Sequence, residues 1–252
     1  MTVEKQQPGH LSISDRKAVL LLDNDSLPPD PEGNAEGIDL SALDDYTFDA
    51  IADRILGYGD LSQIETARKY QSLESSSPDR ADWSRPTSPD GYSSSYRPIK
   101  AILKASGMKD GDTFVDIGSS YGRVGCTVGV NFPNSRFLGY EIVGERAIEA
   151  QRVADFLQLR NVSYHHTDVT ANDFTIPKAD WFFLFNPLNS EALARLLKKI
   201  DHTKENREVR LIAKYTGDLD KYAQSPYLEL ISQMGEPGNF DACWFYRFRH
   251  SS

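Results

Sequence analysis

The stretch FVDIGSSYGRVG, which runs from Phe114 to Gly125, joins an apolar segment to a glycine-containing turn through a single acidic residue. An apolar strand followed by such a turn and a helix is typical of nucleotide-binding α/β folds. A turn that binds a dinucleotide requires the glycine spacing G-x-G-x-x-G. Here Ser120 and Arg123 occupy the positions of its second and third glycines. The turn is therefore predicted to hold a nucleotide-like ligand that carries no phosphate.

The spacing that remains is Asp116-x-Gly118-x-x-x-Gly122. A carboxylate at the strand end would repel a diphosphate, but it would attract a ligand that bears an ammonium and a sulfonium group. The glycines allow the backbone to approach that ligand closely. S-adenosylmethionine has these groups, so the turn predicts it as the cofactor.

Apolar runs alternate with helical stripes downstream of the turn. The runs predict strands at residues 113–117, 136–141, 162–166, 181–186 and 209–215, and residues 227–232 and 242–248 predict a closing antiparallel hairpin. Helices are predicted at residues 123–131, along the stripe from Ala147 to Leu157, and after Ser190 as an N-cap. Residues 181–186 are apolar on both faces, which indicates a central parallel strand.

Length favours one α/β domain preceded by an extension. We predict that residues 1–91 form this extension, with a mobile tail over residues 1–40, short helices and a Ser/Pro-rich loop. Residues 92–252 are predicted to form the S-adenosylmethionine-binding domain. Helical spacing within residues 40–56 leaves an Asp-rich outer face that we expect to be solvated. The loop at residues 72–96 either covers the cofactor or is a flexible connector.

Charge and composition disfavour several classes of partner and site. A net charge of -9 opposes nucleic-acid binding, because phosphate contacts need clustered Lys and Arg. No apolar run approaches the ~20 residues of a membrane helix, and the N-terminal residues lack a signal-peptide pattern. We therefore expect a cytoplasmic protein without membrane contact. Cys126 and Cys243 lie beside hydrophobic residues, which predicts buried thiols rather than a disulfide or a metal site.

The order of elements, the turn from Asp116 to Gly122 and the acids after later strands resemble class I S-adenosylmethionine-dependent methyltransferases over residues 92–250. The resemblance implies an α/β fold, a Rossmann-like seven-stranded mostly parallel sheet with helices on both faces and an antiparallel last strand. It also implies S-adenosylmethionine as the cofactor, bound at the carboxyl ends of the strands. The turn residues that would contact it are Asp116, Gly118, Ser119, Ser120 and Gly122.

The same resemblance gives roles to residues that follow the second and third strands. Glu141 would accept hydrogen bonds from both ribose hydroxyls, because a carboxylate has two acceptor oxygens, and Ile142 would pack on the adenine. Asp168 would accept from the adenine amino group, and Val169 would supply a backbone donor. Alternatively, Glu141 is a solvated strand-end acid and Asp168 caps its own turn.

The segment from Gly91 to Tyr96, together with the glycine turn, is similar to the disruptor-of-telomeric-silencing histone lysine methyltransferases and their bacterial relatives. This similarity implies that Ser94, Ser95 and Tyr96 contact the methionine end of the cofactor. The Asn-Asn pair of the eukaryotic enzymes is replaced here by Asn186-Pro187, and no long basic tract exists for nucleosome docking. Histone methylation is therefore not expected.

Asn186 lies in the loop that the resemblance places beside the transferred methyl group. Leu188 and Asn189 depart from the pattern of amino-directed nucleic-acid methyltransferases. We predict that Asn186 and Tyr96 are the catalytic residues, with Asn186 orienting an acceptor nitrogen or oxygen; alternatively, its amide ties down the loop backbone. Methyl transfer depends on alignment and water exclusion, so it needs no dedicated acid or base.

Three functions are compatible with these patterns. The leading hypothesis is an S-adenosylmethionine-dependent methyltransferase that acts on a nitrogen or oxygen of a small molecule or protein side chain. The alternative is a noncatalytic S-adenosylmethionine-binding regulatory or scaffold protein, which the unusual Leu188 motivates. An NAD-dependent oxidoreductase is disfavoured because the glycine spacing fails twice. The patterns do not predict an oligomeric state.

Overall fold

The computed structural model describes residues 11–24, 28, 43–61, 93–214, 220–236, 239 and 242–249. Its helices are α1 (Ile13–Ala18), α2 (Asp45–Leu56), α3 (Tyr96–Ser106), α4 (Arg123–Asn131), α5 (Gly144–Phe156), α6 (Ser190–Lys204) and α7 (Asp220–Ala223). Its strands are β1 (Thr113–Ile117), β2 (Arg136–Glu141), β3 (Val162–His166), β4 (Trp181–Leu184), β5 (Arg210–Lys214), β6 (Leu228–Met234) and β7 (Cys243–Phe248). Among these described helices, none has the length and apolar character needed to cross a bilayer.

The strands form one seven-stranded sheet in the order β3-β2-β1-β4-β5-β7-β6. The strands from β1 to β5 pair in parallel, whereas β7 lies antiparallel between β5 and β6. This confirms the predicted fold class. Strands β2 and β3 are added on one side of β1, whereas β4 and β5 are added on the other, so the direction of strand order reverses between β1 and β4. At such a reversal a crevice for ligands opens beyond the carboxyl ends of the strands.

Strand register brings three loops to one edge of the sheet. Ile117 pairs with Tyr140 of β2 and with Leu184 of β4, so the residues after β1, β2 and β4 begin side by side. The first three strands have the predicted bounds. The fourth ends before the predicted Asn186, whose φ of 48° is incompatible with an extended strand.

Apolar side chains cover both faces of the sheet. Phe114 and Phe183 belong to a core shared with α2, α3, α4 and α5, whereas Val115 and Leu184 belong to a core shared with α6. All four residues of β4 are buried. The predicted central position of this strand is confirmed, because a strand covered on both faces must be apolar on both.

Helix α1 corrects the expectation of a mobile tail for residues 11–24. Ser12 and Asp15 form a capping box at its start, and Val19 and Leu20 are fully buried in the core shared with the sheet. Asn131 of α4 accepts from the backbone of Leu22 and donates to that of Leu20. Short apolar segments can thus dock on a domain even between polar neighbours. Most of the loop at residues 72–96 lies outside the described residues, as do residues 1–10, 25–27 and 29–40 of the predicted tail.

Two helices end or begin at residues with characteristic capping geometry. Gly107 ends α3 with a φ of 72°, a left-handed conformation that glycine adopts without steric cost. Helix α6 is capped by Asn189, whose side chain accepts from the backbone of Ala192, rather than by the predicted Ser190. Both residue types are good caps, so the sequence alone could not decide between neighbours. The two cysteines are buried free thiols, as predicted.

Candidate functional site

The turn after β1 is held in an unusual backbone conformation. Gly118 and Gly122 have φ values of 80° and 84°, and Ser120 between them has a φ of 49°. The backbone N–H groups of Gly118 and Ser119 both donate to the carbonyl of Tyr140, at 2.8 and 3.0 Å. A residue other than glycine at positive φ is uncommon and marks a site where the surroundings impose the conformation.

Glu141 imposes much of that conformation. Its Oε2 accepts from the backbone N–H of Ser120 at 2.8 Å, and its Oε1 accepts from that of Val143 at 2.9 Å. Arg146 adds a longer ion pair, with Nη1 3.9 Å from Oε1. Glu141 is 4% exposed, so it is not the solvated strand-end acid of the alternative interpretation. Each oxygen keeps further acceptor capacity, which a vicinal diol could use.

Asp116 lies at the carboxyl end of β1 and is 2% exposed. Burial, with a further contribution from the Glu141 charge, raises its pKa well above the ordinary value. It lines a small cavity together with Ser94, Gly118 and Phe185. A buried carboxyl group next to another acid in a cleft is a candidate for binding a cation.

Serine hydroxyls line the rest of this cavity. The hydroxyls of Ser93 and Ser120 lie 3.0 Å apart and share a hydrogen bond. Ser119 Oγ is buried without a hydrogen-bond partner among the described residues. Buried hydroxyls rarely lack a partner, so this atom marks a place where a polar ligand group would be stabilised. The predicted Ser94, Ser119 and Ser120 thus lie together, whereas Ser95 precedes α3 as its N-cap residue and does not line the cavity.

The structure does not place the Tyr96 hydroxyl in the cavity. The ring is fully buried, and its hydroxyl donates to Asp53 Oδ1 of α2 at 2.7 Å. Burial, together with the Asp53 charge, raises the pKa of Tyr96 well above its ordinary value. Tyr96 occupies the first turn of α3, where the helical rotation directs its side chain towards α2. It therefore belongs to a supporting network rather than to the predicted catalytic position.

This network joins α2 to the glycine turn through Arg123, the first residue of α4. Its guanidinium donates to Asp49 Oδ2 at 2.9 Å and to Asp53 Oδ2 at 2.5 Å. Both acids are buried, so the expectation of a solvated Asp-rich face was wrong for Asp49 and Asp53, whereas Asp44 at the start of this helix is exposed. Arg123, which also lines the cavity, provides the charge that makes their burial possible.

The loop after β4 closes against the glycine turn. A Cβ at Gly118 would lie 2.9 Å from Cβ of Pro187, so only glycine allows this approach. Asn186 adopts the left-handed conformation, and its Oδ1 accepts from Lys221 Nζ at 2.5 Å. The same ammonium reaches the carbonyl of Leu188 at 3.4 Å. The amide of Asn186 therefore does help to fix the loop, as the alternative interpretation held.

The residues predicted to contact adenine lie on the loops after β2 and β3. Ile142 is half-buried, and Val169 packs against the core on the α6 side. Asp168 Oδ1 accepts from the backbone and the hydroxyl of Thr170, at 2.8 and 2.6 Å. Asp168 therefore caps its own turn, and an adenine contact would use its remaining acceptor capacity.

Sequence reasoning did not single out Ser93, Pro187 or Lys221. Ser93 belongs to the same run of hydroxyl residues as Ser94, so its neighbours carried a usable signal. Pro187 entered the prediction only as the residue that replaces the second asparagine of an Asn-Asn pair. Lys221 is 35 residues from Asn186 along the chain, and no local pattern connects the two.

Comparison with known proteins gives similarities in fold at low sequence identity. No protein-family model and no curated protein matches the chain. TrmN from Thermus thermophilus is similar at 14% identity and a TM-score of 0.47. The similarity covers 60% of this chain and 48% of TrmN, so this chain spans about half the length of that protein. Precorrin-6y C5,15-methyltransferase from Geobacter metallireducens is similar at 14% identity over 68% of this chain and 94% of its own, with a TM-score of 0.48. An RNA methyltransferase from Salinibacter ruber, in complex with S-adenosyl-L-homocysteine, is similar at 17% identity over 65% of this chain and 92% of its own, with a TM-score of 0.45.

Proposed function

We propose that this chain is an S-adenosylmethionine-dependent methyltransferase that transfers a methyl group to a nitrogen or oxygen acceptor on a small molecule or a protein side chain. The observation that carries the proposal is the buried Asp116 carboxyl group beside a turn in which Gly118 and Gly122 both have positive φ. Because burial disfavours its ionised form, Asp116 gains most from a ligand that brings a positive charge. The cofactor carries an ammonium and a sulfonium group, whereas a dinucleotide brings a diphosphate that this acid would repel.

The side chains around the turn fit this cofactor. Asp116, Ser94, Ser119 and Ser120 would hold its methionine end, and the buried Ser119 hydroxyl would gain the partner that it lacks among the described residues. Glu141 would bind the ribose. Further contacts would come from Ile142 against the adenine and from Asp168 and Val169 at its edge. When bound, the cofactor supplies a methyl group on a positively charged sulfur atom, which a nucleophile displaces.

The residues of the chain contribute orientation and exclusion of water. Pro187 packs on Gly118, so the loop after β4 narrows the cleft where the acceptor would meet the methyl group. Asn186 precedes Pro187 in this loop, and its proposed role is to orient the acceptor through its amide. Tyr96, Asp53 and Arg123 act behind the turn as positioning residues, since their mutual hydrogen bonds fix the start of α4. Such alignment can supply most of the rate acceleration in a displacement reaction.

A noncatalytic cofactor-binding role is the second candidate. The contact between Asn186 Oδ1 and Lys221 favours it, because this amide has a structural use that requires no acceptor. The two roles differ in turnover rather than in cofactor binding. If the chain is catalytic, its net charge of -9 supports a small-molecule or protein acceptor over a nucleic acid.

Calorimetric titration with S-adenosylhomocysteine, followed by an assay for its production from S-adenosylmethionine, tests the proposal. The wild-type chain is expected to bind the ligand, and Asp116→Asn is expected to weaken binding by about 10- to 100-fold, the range of a charged hydrogen bond. Asp155→Asn is the matched control, since Asp155 is exposed at the end of α5. Absence of binding to the wild type would refute the proposal. Binding without turnover of any acceptor would select the noncatalytic role.

A further inference from the structure

Two buried tyrosine hydroxyls hold carbonyl groups of the glycine turn. Tyr58, which follows α2, donates to the Tyr121 carbonyl at 3.0 Å. Tyr164 of β3 donates to the next carbonyl, that of Gly122, at 2.6 Å. Burial raises the pKa of both tyrosines well above the ordinary value, so both hydroxyls keep their protons and remain donors. Two parts of the chain that are distant in sequence therefore fix the backbone of the turn.

The carbonyl groups held in this way belong to residues on the side of the turn that faces away from the cavity. Residues 118–120 and Arg123 line the cavity that contains Asp116, whereas Tyr121 and Gly122 between them do not. The side of the turn that would meet a ligand and the side that the tyrosines fix are therefore different. The hydroxyls can thus set the position of the cavity wall without occupying the cavity.

Ser120 is the residue of the turn that most needs such support. Its φ of 49° is unfavourable for a residue that carries a Cβ. Glu141 accepts from the Ser120 N–H at 2.8 Å, and Tyr58 donates to the carbonyl of the next residue, Tyr121. The strained residue is thus held from both ends. Loss of the Tyr58 bond would allow the turn to relax and would displace the Ser120 hydroxyl, which lines the cavity.

Further contacts attach the chain around Tyr58 to two other helices. The ion pairs between α2 and the start of α4 hold it on one side. On the other side, Glu149 of α5 accepts from the Gly59 N–H at 2.7 Å, and Arg152 of the same helix donates to the Gly57 carbonyl at 2.5 Å. Both neighbours of Tyr58 are therefore bound to α5. These contacts fix the place from which the tyrosine hydroxyl reaches the turn.

We propose, building on the function proposed above, that Tyr58 is a positioning residue for the cofactor and that residues 45–59, the α2 segment, clamp the glycine turn from behind. The cofactor-binding unit then includes part of the extension predicted over residues 1–91. The docked α2 segment favours the turn conformation that binds the cofactor. Cofactor binding must in return favour docking of the α2 segment by the same factor, because coupling between two sites is reciprocal.

Calorimetric titration with S-adenosylhomocysteine tests the role of Tyr58, at a temperature where circular dichroism shows every variant to be folded. Tyr58→Phe removes only the hydroxyl and is expected to weaken binding by about 3- to 10-fold, the effect of one buried hydrogen bond. Tyr246→Phe is the matched control, because this buried tyrosine of β7 lies in the core on the α6 side. It should bind like the wild type.

Equal affinities of the wild type and Tyr58→Phe, or equal weakening in both variants, would overturn the inference while the proposed function stands. A wild-type chain that does not bind S-adenosylhomocysteine would refute the proposed function, and this inference with it. The two failures are therefore distinguishable in one series of titrations.

Hydrogen exchange with and without S-adenosylhomocysteine tests the coupling. Binding is expected to slow exchange of the α2 amides in the wild type, although no residue of α2 lines the cavity that contains Asp116. The slowing should be smaller in Tyr58→Phe. Strand β6, at the far edge of the sheet, is the internal control and should exchange at the same rate in both states. Unchanged exchange in α2, or equal slowing in the wild type and Tyr58→Phe, would contradict the coupling through Tyr58.

Discussion

The Gly122→Ala substitution tests whether the turn depends on a close approach that no side chain can accommodate. A Cβ at this position would lie 2.6 Å from Cζ and the hydroxyl of Tyr164 and 2.8 Å from Cβ of Ala150. The Tyr164 hydroxyl also donates to the Gly122 carbonyl at 2.6 Å, so the ring cannot retreat without losing this bond. Alanine at Gly122 must therefore displace buried groups.

Gly107→Ala is the matched control for this substitution. Gly107 has a φ of 72°, close to the 84° of Gly122, but among the described residues its added Cβ would meet only Arg210 Nη1, at 3.8 Å. Both variants force alanine into the left-handed region, which costs about 1–2 kcal/mol. Gly122→Ala adds overpacking of about 1–3 kcal/mol. The free energy of unfolding should therefore fall by about 1–3 kcal/mol more for Gly122→Ala than for Gly107→Ala.

Urea denaturation followed by circular dichroism measures this difference through linear extrapolation. The affinity for S-adenosylhomocysteine should fall in Gly122→Ala and stay unchanged in Gly107→Ala, because only the first distorts the turn. Equal losses of stability in the two variants would refute the argument from close packing. An undisturbed affinity in Gly122→Ala would show that the turn does not form the cofactor site.

Further predictions concern the buried acids. Burial, which outweighs the nearby positive charge, raises the pKa of Asp49 to about 6. Because the folded value lies above the unfolded one, the stability of the wild type relative to Asp49→Asn should fall by about 2 kcal/mol as pH rises from 4 to 7. A pH-independent difference in urea denaturation would contradict this. Glu141→Gln should lower the free energy of unfolding by about 1–3 kcal/mol in urea denaturation, because its amide nitrogen is a donor and would face the donor N–H of Ser120 or Val143. Glu145→Gln, at an exposed neighbouring position, is the control and should leave stability unchanged. Burial raises the pKa of Asp116, so at a pH between its ordinary and its raised value the free protein holds this carboxyl group protonated. The ammonium group of S-adenosylhomocysteine favours the ionised form, so binding at that pH should release a proton. The heat of binding should then depend on the ionisation enthalpy of the buffer, and equal heats in different buffers would contradict this.

The sequence predicted the parts of the fold that depend on short-range patterns. Strand β4 is covered on both faces, so it appears in the sequence as a continuous apolar run, and β1 is apolar from Phe114 to Ile117 except for Asp116. The glycine turn was predicted because Gly118 and Gly122 follow an apolar strand, and in the structure both glycines have a positive φ. The family resemblance singled out Glu141, and the structure brings its carboxylate to the backbone of Ser120 in that turn.

Other parts depend on how distant elements meet. Whether Tyr96 faces the cavity or α2 is decided by one helical turn and by the docking of α2, which brings Asp53 to its hydroxyl. The acids of α2 look like a solvated face until Arg123 is placed against them. Lys221 contacts Asn186 only because the fold brings α7 next to the loop that follows β4. None of these contacts has a signature in neighbouring residues, so the supporting groups could not be predicted.

A crystal structure of the chain with S-adenosylhomocysteine tests the central claim most directly. The ligand is predicted to place its ammonium group beside Asp116, the Ser119 hydroxyl within hydrogen-bond distance of its methionine end, and the ribose hydroxyls on Glu141. A ligand bound elsewhere on the surface, or electron density in this crevice that fits a diphosphate rather than an adenosyl thioether, would contradict the account.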